Sequence, residues 1–280
     1  MQPAGHSLAE GFHRAGGIPA IIGELILAGK INTGALTVTG KTIGENCATS
    51  LSRDHEVIRP YSDPLARDAG IIVLSGNVFD SALLKTSVIS QQFRDRYLSD
   101  PDDPESFTCI ATVFDSPEEY RVRIEDSALD VGIDSILVIR NCGPVGYPGS
   151  AEVVNMNPPG RLVKQGIRML PCMGDGRQSG TSDSPSILNI SPEAAIGGNL
   201  ALIQTGDRIR ISLRDRRVDL LVSDEQIDRR RGLLQLPKIQ SNTPWEELYR
   251  SSVGQLDTGA CLEFATKYRN VRKSVPRHSH

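Results

Sequence analysis

The stretch 141–185, NCGPVGYPGSAEVVNMNPPGRLVKQGIRMLPCMGDGRQSGTSDSP, constrains the fold more than any other part of the chain. Glycine and proline recur through it too often for one long helix or an unbroken strand. Glycine supplies backbone conformations of positive φ and lets another chain segment or a ligand come close. Proline between the glycines stiffens the loops and lowers the entropy lost in holding them. Glu152, Asp175 and Arg177 stand among the small hydroxyl residues of its two densest segments, 143–152 and 174–182. Rigid loops carrying a carboxylate and a serine suit a site of chemistry, although glycine-rich turns are more often only turns.

The runs around this stretch read as short strands. Residues 70–74, 109–114, 136–139, 200–203, 208–213 and 218–222 are apolar and mostly rich in β-branched side chains, as buried strands are. The 208–213 run alternates strictly, so one of its faces meets water, and Thr205-Gly206-Asp207 before it suits a turn. Helix starts are legible as well. Ser116-Pro117-Glu118-Glu119 places a cap, a first-turn proline and a capping-box glutamate before 120–128. Ser191-Pro192-Glu193 begins a short helix that Gly197-Gly198 ends; Ser223 and Thr243 begin two more. Nearer the N-terminus, 18–27 has helical spacing with Pro19 in its first turn, 36–42 alternates like an exposed segment, and Glu45-Asn46 starts another helix.

A linker with two prolines, 59–65, divides the helical part from the β-rich part. The expected organisation is an N-terminal adjunct over 1–58, a β-rich domain over 59–235, and a C-terminal helix and basic tail over 236–280. Strands in mixed order with a few covering helices give an α+β class built on a barrel-like or a sandwich sheet. Periodicity leaves both open.

Composition narrows the partners. A net charge of −3 over 280 residues gives no global reason for nucleic acid or an anionic membrane. The N-terminus lacks the apolar core of a signal peptide, and the most apolar run, 18–28, is interrupted by Glu24 and too short to span a bilayer. Five cysteines are odd in number, widely spaced and without a CxxC pair. That pattern points to reduced thiols in a cytoplasmic protein rather than a disulfide framework or a self-contained zinc site.

Taken alone, each polar residue of the central loops has a bland reading. No histidine lies between His55 and His278, so Ser179 has no support as part of a Ser-His-Asp triad and reads as a turn serine. Glu152 reads as a solvated glutamate. For Asp175 and Arg177 a local ion pair or Asx-turn stands level with substrate positioning, since Arg177 could meet a carboxylate bidentately. Thr181 and Ser182 offer hydroxyl contacts to a polyol.

The words GPVGYPGSAEVVNM, GDGRQSGTSDSPSILNISPEAA and LVSDEQIDRRR resemble the C-terminal domain of the dihydroxy-acid and sugar-acid dehydratases. PGSAEVVNM and GDGRQSGTSDSPSILN are most similar to the pentonate, xylonate-type branch, while AGGIPAI and LTVTGKTIGEN resemble the end of the family's N-terminal domain. The resemblance implies a swivelling β/β/α barrel with a helical N-terminal adjunct. It implies a hydro-lyase that removes water from a 2,3-dihydroxy sugar acid and gives a 2-keto-3-deoxy acid. The family's proton-abstracting serine falls on Ser179 and its magnesium-binding glutamate on Glu152; Asp175, Arg177 and Thr181 fall in the substrate-binding loops. Glu152 and Ser179 are then expected on neighbouring loops facing one concave surface.

The resemblance also implies what this sequence lacks. The family's 2Fe-2S cluster is held by cysteines of the N-terminal domain, and aspartates and a modified lysine there complete the magnesium shell. Those segments are not present, and Cys47, Cys109, Cys142, Cys172 and Cys261 do not match their motifs. The magnesium site is therefore expected to be partial, and the chain alone colourless and inactive. Its expected partners are a sugar-acid substrate, the missing N-terminal dehydratase domain and further copies in a homo-oligomer. A non-catalytic binding or assembly module that kept the fold is the alternative; retention of Glu152, Asp175, Arg177 and Ser179 favours the hydro-lyase.

Overall fold

Five consecutive buried residues, Ser135–Ile139, mark the centre of the fold. The computed structural model describes residues 6–65, 70–154, 156–177 and 184–267, and the chain divides into two compact units, Met1–Ala69 and Gly70–His280. This division falls later than the 58/59 position read from the sequence, because 59–65 stays with the first unit. There Tyr61 N–H donates to Glu24 Oε2 at 3.4 Å, and Arg59 pairs with Asp63 at 3.0 Å.

The first unit is helical: α1 (Ala9–Arg14), α2 (Gly17–Leu27) and α3 (Ile43–Cys47). Thr42 and Glu45 cap α3 reciprocally, each side chain accepting from the other's backbone N–H. Its buried cluster is small, with Ala15, Ala20 and Ile58 at its centre.

In the second unit the elements run β1 (Ile71–Leu74), β2 (Ser81–Lys85), α4 (Gln91–Tyr97), β3 (Ser106–Phe114), α5 (Pro117–Arg123) and β4 (Ser135–Ile139). They continue with α6 (Gly160–Lys164), β5 (Cys172–Gly174), β6 (Ser186–Ser191), β7 (Arg208–Ser212), β8 (Arg217–Leu220), α7 (Asp224–Leu233), α8 (Pro244–Ser252) and α9 (Glu263–Thr266). The eight strands form one mixed sheet in the order β1-β2-β6-β5-β4-β3-β7-β8. The inner four, β6-β5-β4-β3, are parallel; the outer pairings are antiparallel. The sheet curls until its ends meet. Ser75, just past β1, donates to Arg216 O at 3.1 Å and accepts from Val218 N at 2.9 Å, so the barrel is nearly closed.

Side-chain parity sorts the core. Ile136 and Val138 of β4, Met173 of β5 and Ile187 of β6 point into the barrel beside Phe79, Leu84, Ile209 and Ile211. Their neighbours Leu137, Ile139, Cys172 and Leu188 point outward and are covered by Ile124 and Leu129, after α5, and by Leu162 of α6. A strand flanked by parallel partners and covered on both faces needs apolar residues at every position, which is why SILVI does not alternate. By contrast β7, near the edge, keeps Ile209 and Ile211 buried while Arg208 is exposed and Arg210 half-buried.

Two expected elements differ. The 200–203 run is a 3₁₀ turn, Asn199–Leu202, rather than a strand; Leu200, Leu202 and Ile203 are buried all the same, and a short apolar run does not by itself select strand over helix. α5 ends at Arg123 instead of continuing to 128, because Asp126 accepts from Ala128 N at 2.8 Å and turns the chain.

Leu137→Ala should lower the unfolding free energy of the chain by about 2–5 kcal/mol, since it empties a fully buried position between sheet and helices. Ile71→Ala, on a residue 62% exposed at the sheet edge, should stay within about 0.5 kcal/mol in the same urea titrations.

Candidate functional site

Because β4, β5 and β6 run parallel, the loops that follow them emerge together at one end of the sheet, where ligands bind in open α/β sheets. The loop after β4 begins at Arg140 and includes 141–153, the loop after β5 starts with Asp175, and the loop after β6 contains Glu193. Asp175 and Glu193 are both fully buried.

Each carboxylate binds backbone of a neighbouring loop. Asp175 accepts from Cys142 N at 2.8 Å, Asn141 N at 3.1 Å and Ala194 N at 2.8 Å, joining the loops after β4 and β6 through the end of β5. Glu193 accepts from Val145 N at 2.9 Å and Gly146 N at 2.8 Å. Gln255 closes the arrangement, donating Nε2 to Glu193 Oε1 at 2.8 Å and accepting from Glu193 N at 2.9 Å. Asp257 accepts from Ser191 Oγ at 2.8 Å, and Arg250 Nε donates to Val145 O at 3.0 Å. Residues of the C-terminal segment thus brace the loop system.

Glycine is required where these loops touch. A Cβ on Gly143 would lie 2.6 Å from Glu193 Oε2, and one on Gly176 would lie 2.7 Å from Ala151 O. Burial pushes the Asp175 carboxyl up to about 6; the Glu193 charge adds to this, and the three backbone N–H groups offset part of it.

Glu152 is exposed on the turn after Ser150, and Arg177 is exposed at the mouth of the β5 loop. Arg177 is tied to the β4 loop, its N–H donating to Ala151 O at 2.9 Å and its Nε to Ser150 O at 2.6 Å. The structure therefore brings Glu152, Arg177 and Asp175 to one end of the sheet. Asp175 points its oxygens at backbone amides and reaches no solvent, a placement that suits holding the loops rather than touching a substrate. Ser179 and Thr181 lie outside the described residues, and with them the expected juxtaposition of Ser179 and Glu152.

Glu193 and Gln255 escaped the sequence reading. Ser191-Pro192-Glu193 looks like a helix start, and a 3₁₀ turn, Ala194–Ile196, does follow. Nothing local signals that the Glu193 side chain turns back to residues 145 and 146, or that Gln255 meets it.

A magnesium ion needs several oxygen donors. Glu152 supplies one carboxylate, and among the described residues no group of three His, Cys, Asp or Glu side chains could hold a metal ion. Cys109, Cys142 and Cys172 are buried, and desolvation pushes their thiols up, that of Cys172 to about 12. The described residues thus offer a complete site to neither magnesium nor an iron–sulfur cluster. No helix among the described residues is long and apolar enough to cross a membrane.

Comparison with known proteins adds the following. Residues 56–260 match the dihydroxy-acid/6-phosphogluconate dehydratase C-terminal model, and residues 1–46 match the corresponding N-terminal model. The chain is 54% identical over its whole length to D-xylonate dehydratase of Caulobacter vibrioides, of which it covers 47%. It is 36% identical over its whole length to L-arabonate dehydratase of Azospirillum brasilense, again covering 47%. Over 94% of its length it is 35% identical to a dihydroxy-acid dehydratase of Clostridium beijerinckii, covering 45%. The chain spans about half the length of the curated relatives it matches.

The buried Asp175 gives a test of the loop clamp. A carboxyl whose folded pKa is raised holds its proton more tightly in the native state, so its contribution to stability is complete below pH 3.8 and lost as pH rises through about 6. That contribution is about 3 kcal/mol. Urea unfolding between pH 4 and 7 should show it as a fall with rising pH that Asp175→Asn lacks. The variant should also be less stable at pH 7 by about 1–3 kcal/mol, because an amide NH₂ faces backbone donors there.

Proposed function

The chain belongs to the dihydroxy-acid/6-phosphogluconate dehydratase family, and from that we propose that it is the C-terminal part of a hydro-lyase acting on a sugar acid, a pentonate such as xylonate. The observation that carries the reading is the 54% identity to D-xylonate dehydratase over the entire chain, which includes both central loops. The geometry supports it: three loops at the carboxyl ends of parallel strands are fixed by buried carboxylates, and they present Glu152 and Arg177 outward. Family members are dehydratases, and a dehydratase needs such a preorganised mouth to orient a polyhydroxy chain.

In this reading Arg177 meets the substrate carboxylate. Ser179 removes the proton at C2 as general base, and Thr181 offers a hydroxyl contact beside it. The electron pair left at C2 forms the C2–C3 double bond, and the C3 hydroxyl departs as water by taking up the proton that Ser179 accepted from C2, which returns the base to its starting state. The enol then tautomerises to the 2-keto-3-deoxy acid. Asp175 acts as a positioning residue, holding the loop that carries Arg177 and Ser179 against its neighbours. Glu152 offers one carboxylate to magnesium, and the remaining donors come from the family's N-terminal domain.

The test uses the chain joined to the family's N-terminal domain, assayed for release of 2-keto-3-deoxy acid from pentonates. Ser179→Ala should lower kcat by roughly 10²-fold or more with a smaller change in KM, as loss of a base predicts. Glu152→Gln should instead lower the magnesium retained after gel filtration, measured by elemental analysis. Full turnover in Ser179→Ala would remove the serine from the mechanism.

A further inference from the structure

The turn 143–150 is bonded within itself and held at both ends. Tyr147 N–H donates to Gly143 O at 2.8 Å and Ser150 N–H to Tyr147 O at 2.8 Å. A Cβ on Gly146 would lie 2.5 Å from Asn141 O, so the turn also packs back on its own start. At the near end, Glu193 accepts from the N–H groups of Val145 and Gly146, and Arg250 Nε donates to Val145 O at 3.0 Å. At the far end, Ser150 O accepts from Arg177 Nε at 2.6 Å, and Ala151 O accepts from Arg177 N at 2.9 Å. A displacement imposed at Val145 is therefore passed to Arg177.

Gln255 fixes the other side of this line. Its Nε2 donates to Glu193 Oε1 at 2.8 Å while its Oε1 accepts from Glu193 N at 2.9 Å, so one amide sets both the carboxylate and the backbone of Glu193. Asp257 ties the same segment to the end of β6 through Ser191 Oγ at 2.8 Å. Arg177 is the exposed end. With its Nε taken by Ser150 O, its two terminal nitrogens meet no acceptor among the described residues. They form the edge that takes a carboxylate bidentately. Such a group works only where it is aimed, and a misplacement of about 1 Å can cost up to roughly a hundredfold.

We propose that Gln255 and Arg250 are positioning residues for the substrate carboxylate: through Glu193 and Val145 they hold the 143–150 turn, and through that turn they aim Arg177. This rests on the dehydratase reading and deepens it, since the 250–257 segment then sets the affinity for the acid together with the central loops. The effect belongs to binding. A carboxylate remote from the breaking bonds is held alike in the ground state and the transition state, so a badly aimed Arg177 raises KM and leaves kcat nearly unchanged. A merely structural role would lower the fraction of folded enzyme, and with it kcat, at constant KM.

The experiment measures kcat and KM for a pentonate, with the chain joined to the family's N-terminal domain. It covers wild type, Gln255→Met, Arg250→Lys and Arg177→Met, and each of the first two variants combined with Arg177→Met. Methionine fills the space of Gln255 without its amide, and lysine keeps the charge of Arg250 while losing the Nε donor to Val145 O. Gln255→Met and Arg250→Lys should each raise KM about tenfold and leave kcat within about twofold. In the Arg177→Met background neither should raise KM further, because both act through that arginine. If only one of the two folds, it decides the test alone. A fall in kcat at unchanged KM, or loss of folded protein in both, would assign the side chains a structural role and overturn the proposal. A rise in KM that persists in the Arg177→Met background would overturn it too. If Arg177→Met by itself leaves KM unchanged, the arginine loses its place in the dehydratase reading and the proposal falls with it. Wild type that turns over no pentonate would bring down that reading outright, whereas an active enzyme whose KM ignores Gln255→Met and Arg250→Lys would overturn the proposal alone.

Discussion

The hydrogen bonds from loop backbone to the buried carboxylates of Asp175 and Glu193 hold this end of the barrel together. A buried carboxylate is costly to desolvate, and it persists only where donors compensate it. Here the donors are the main-chain amides of loops that would otherwise have no secondary structure to satisfy them. Donor and acceptor thus solve each other's problem. Removing either side leaves unpaired polar groups in a dry interior, so the arrangement is all or nothing across three loops. Gln255 extends the same logic to the C-terminal segment.

The clamp rests on strands that are packed on both faces. β4 is covered on both faces, with Ile136 and Val138 inside the barrel and Leu137 and Ile139 under the helices. Interiors packed in this way have low compressibility, so the strand ends keep their places relative to one another. Parallel order then delivers three consecutive loops to one end, and the clamp fixes them against each other. Exposed Glu152 and Arg177 inherit their positions from these two levels of constraint.

Much of this was legible in the sequence, for reasons that can be traced to particular residues. Ser116-Pro117-Glu118-Glu119, Ser223 and Thr243 announced their helices because capping is a local interaction, and each side chain does accept from the backbone three residues on. The apolar runs at β3, β4 and β7 announced strands because burial leaves a local pattern. β2, β5 and β6 were not picked out: SALLK and CMG are short, and SILNIS holds a left-handed asparagine and serines that read as loop. Periodicity left barrel and sandwich open and the resemblance pointed to the barrel; the closing contact, Ser75 with Arg216 and Val218, lies too far along the chain for any local pattern to mark it. The same holds for the site. Glycine density located the loops, and resemblance singled out Glu152 and Ser179. Glu193, Gln255 and the saturation of Asp175 come from contacts that no spacing encodes.

The pairing of β2 with β6 also bears on how the chain is made. Leu84 finds its partner Ile187 about a hundred residues later, after the whole of α4 through β5 has intervened. At roughly 5–20 residues per second, the β1–β2 hairpin waits on the order of ten seconds on the ribosome with one hydrogen-bonding edge open. That edge carries Ala82 and Leu84, which end fully covered in the barrel. Until β6 arrives, that unpaired edge is a template on which another extended segment could pair.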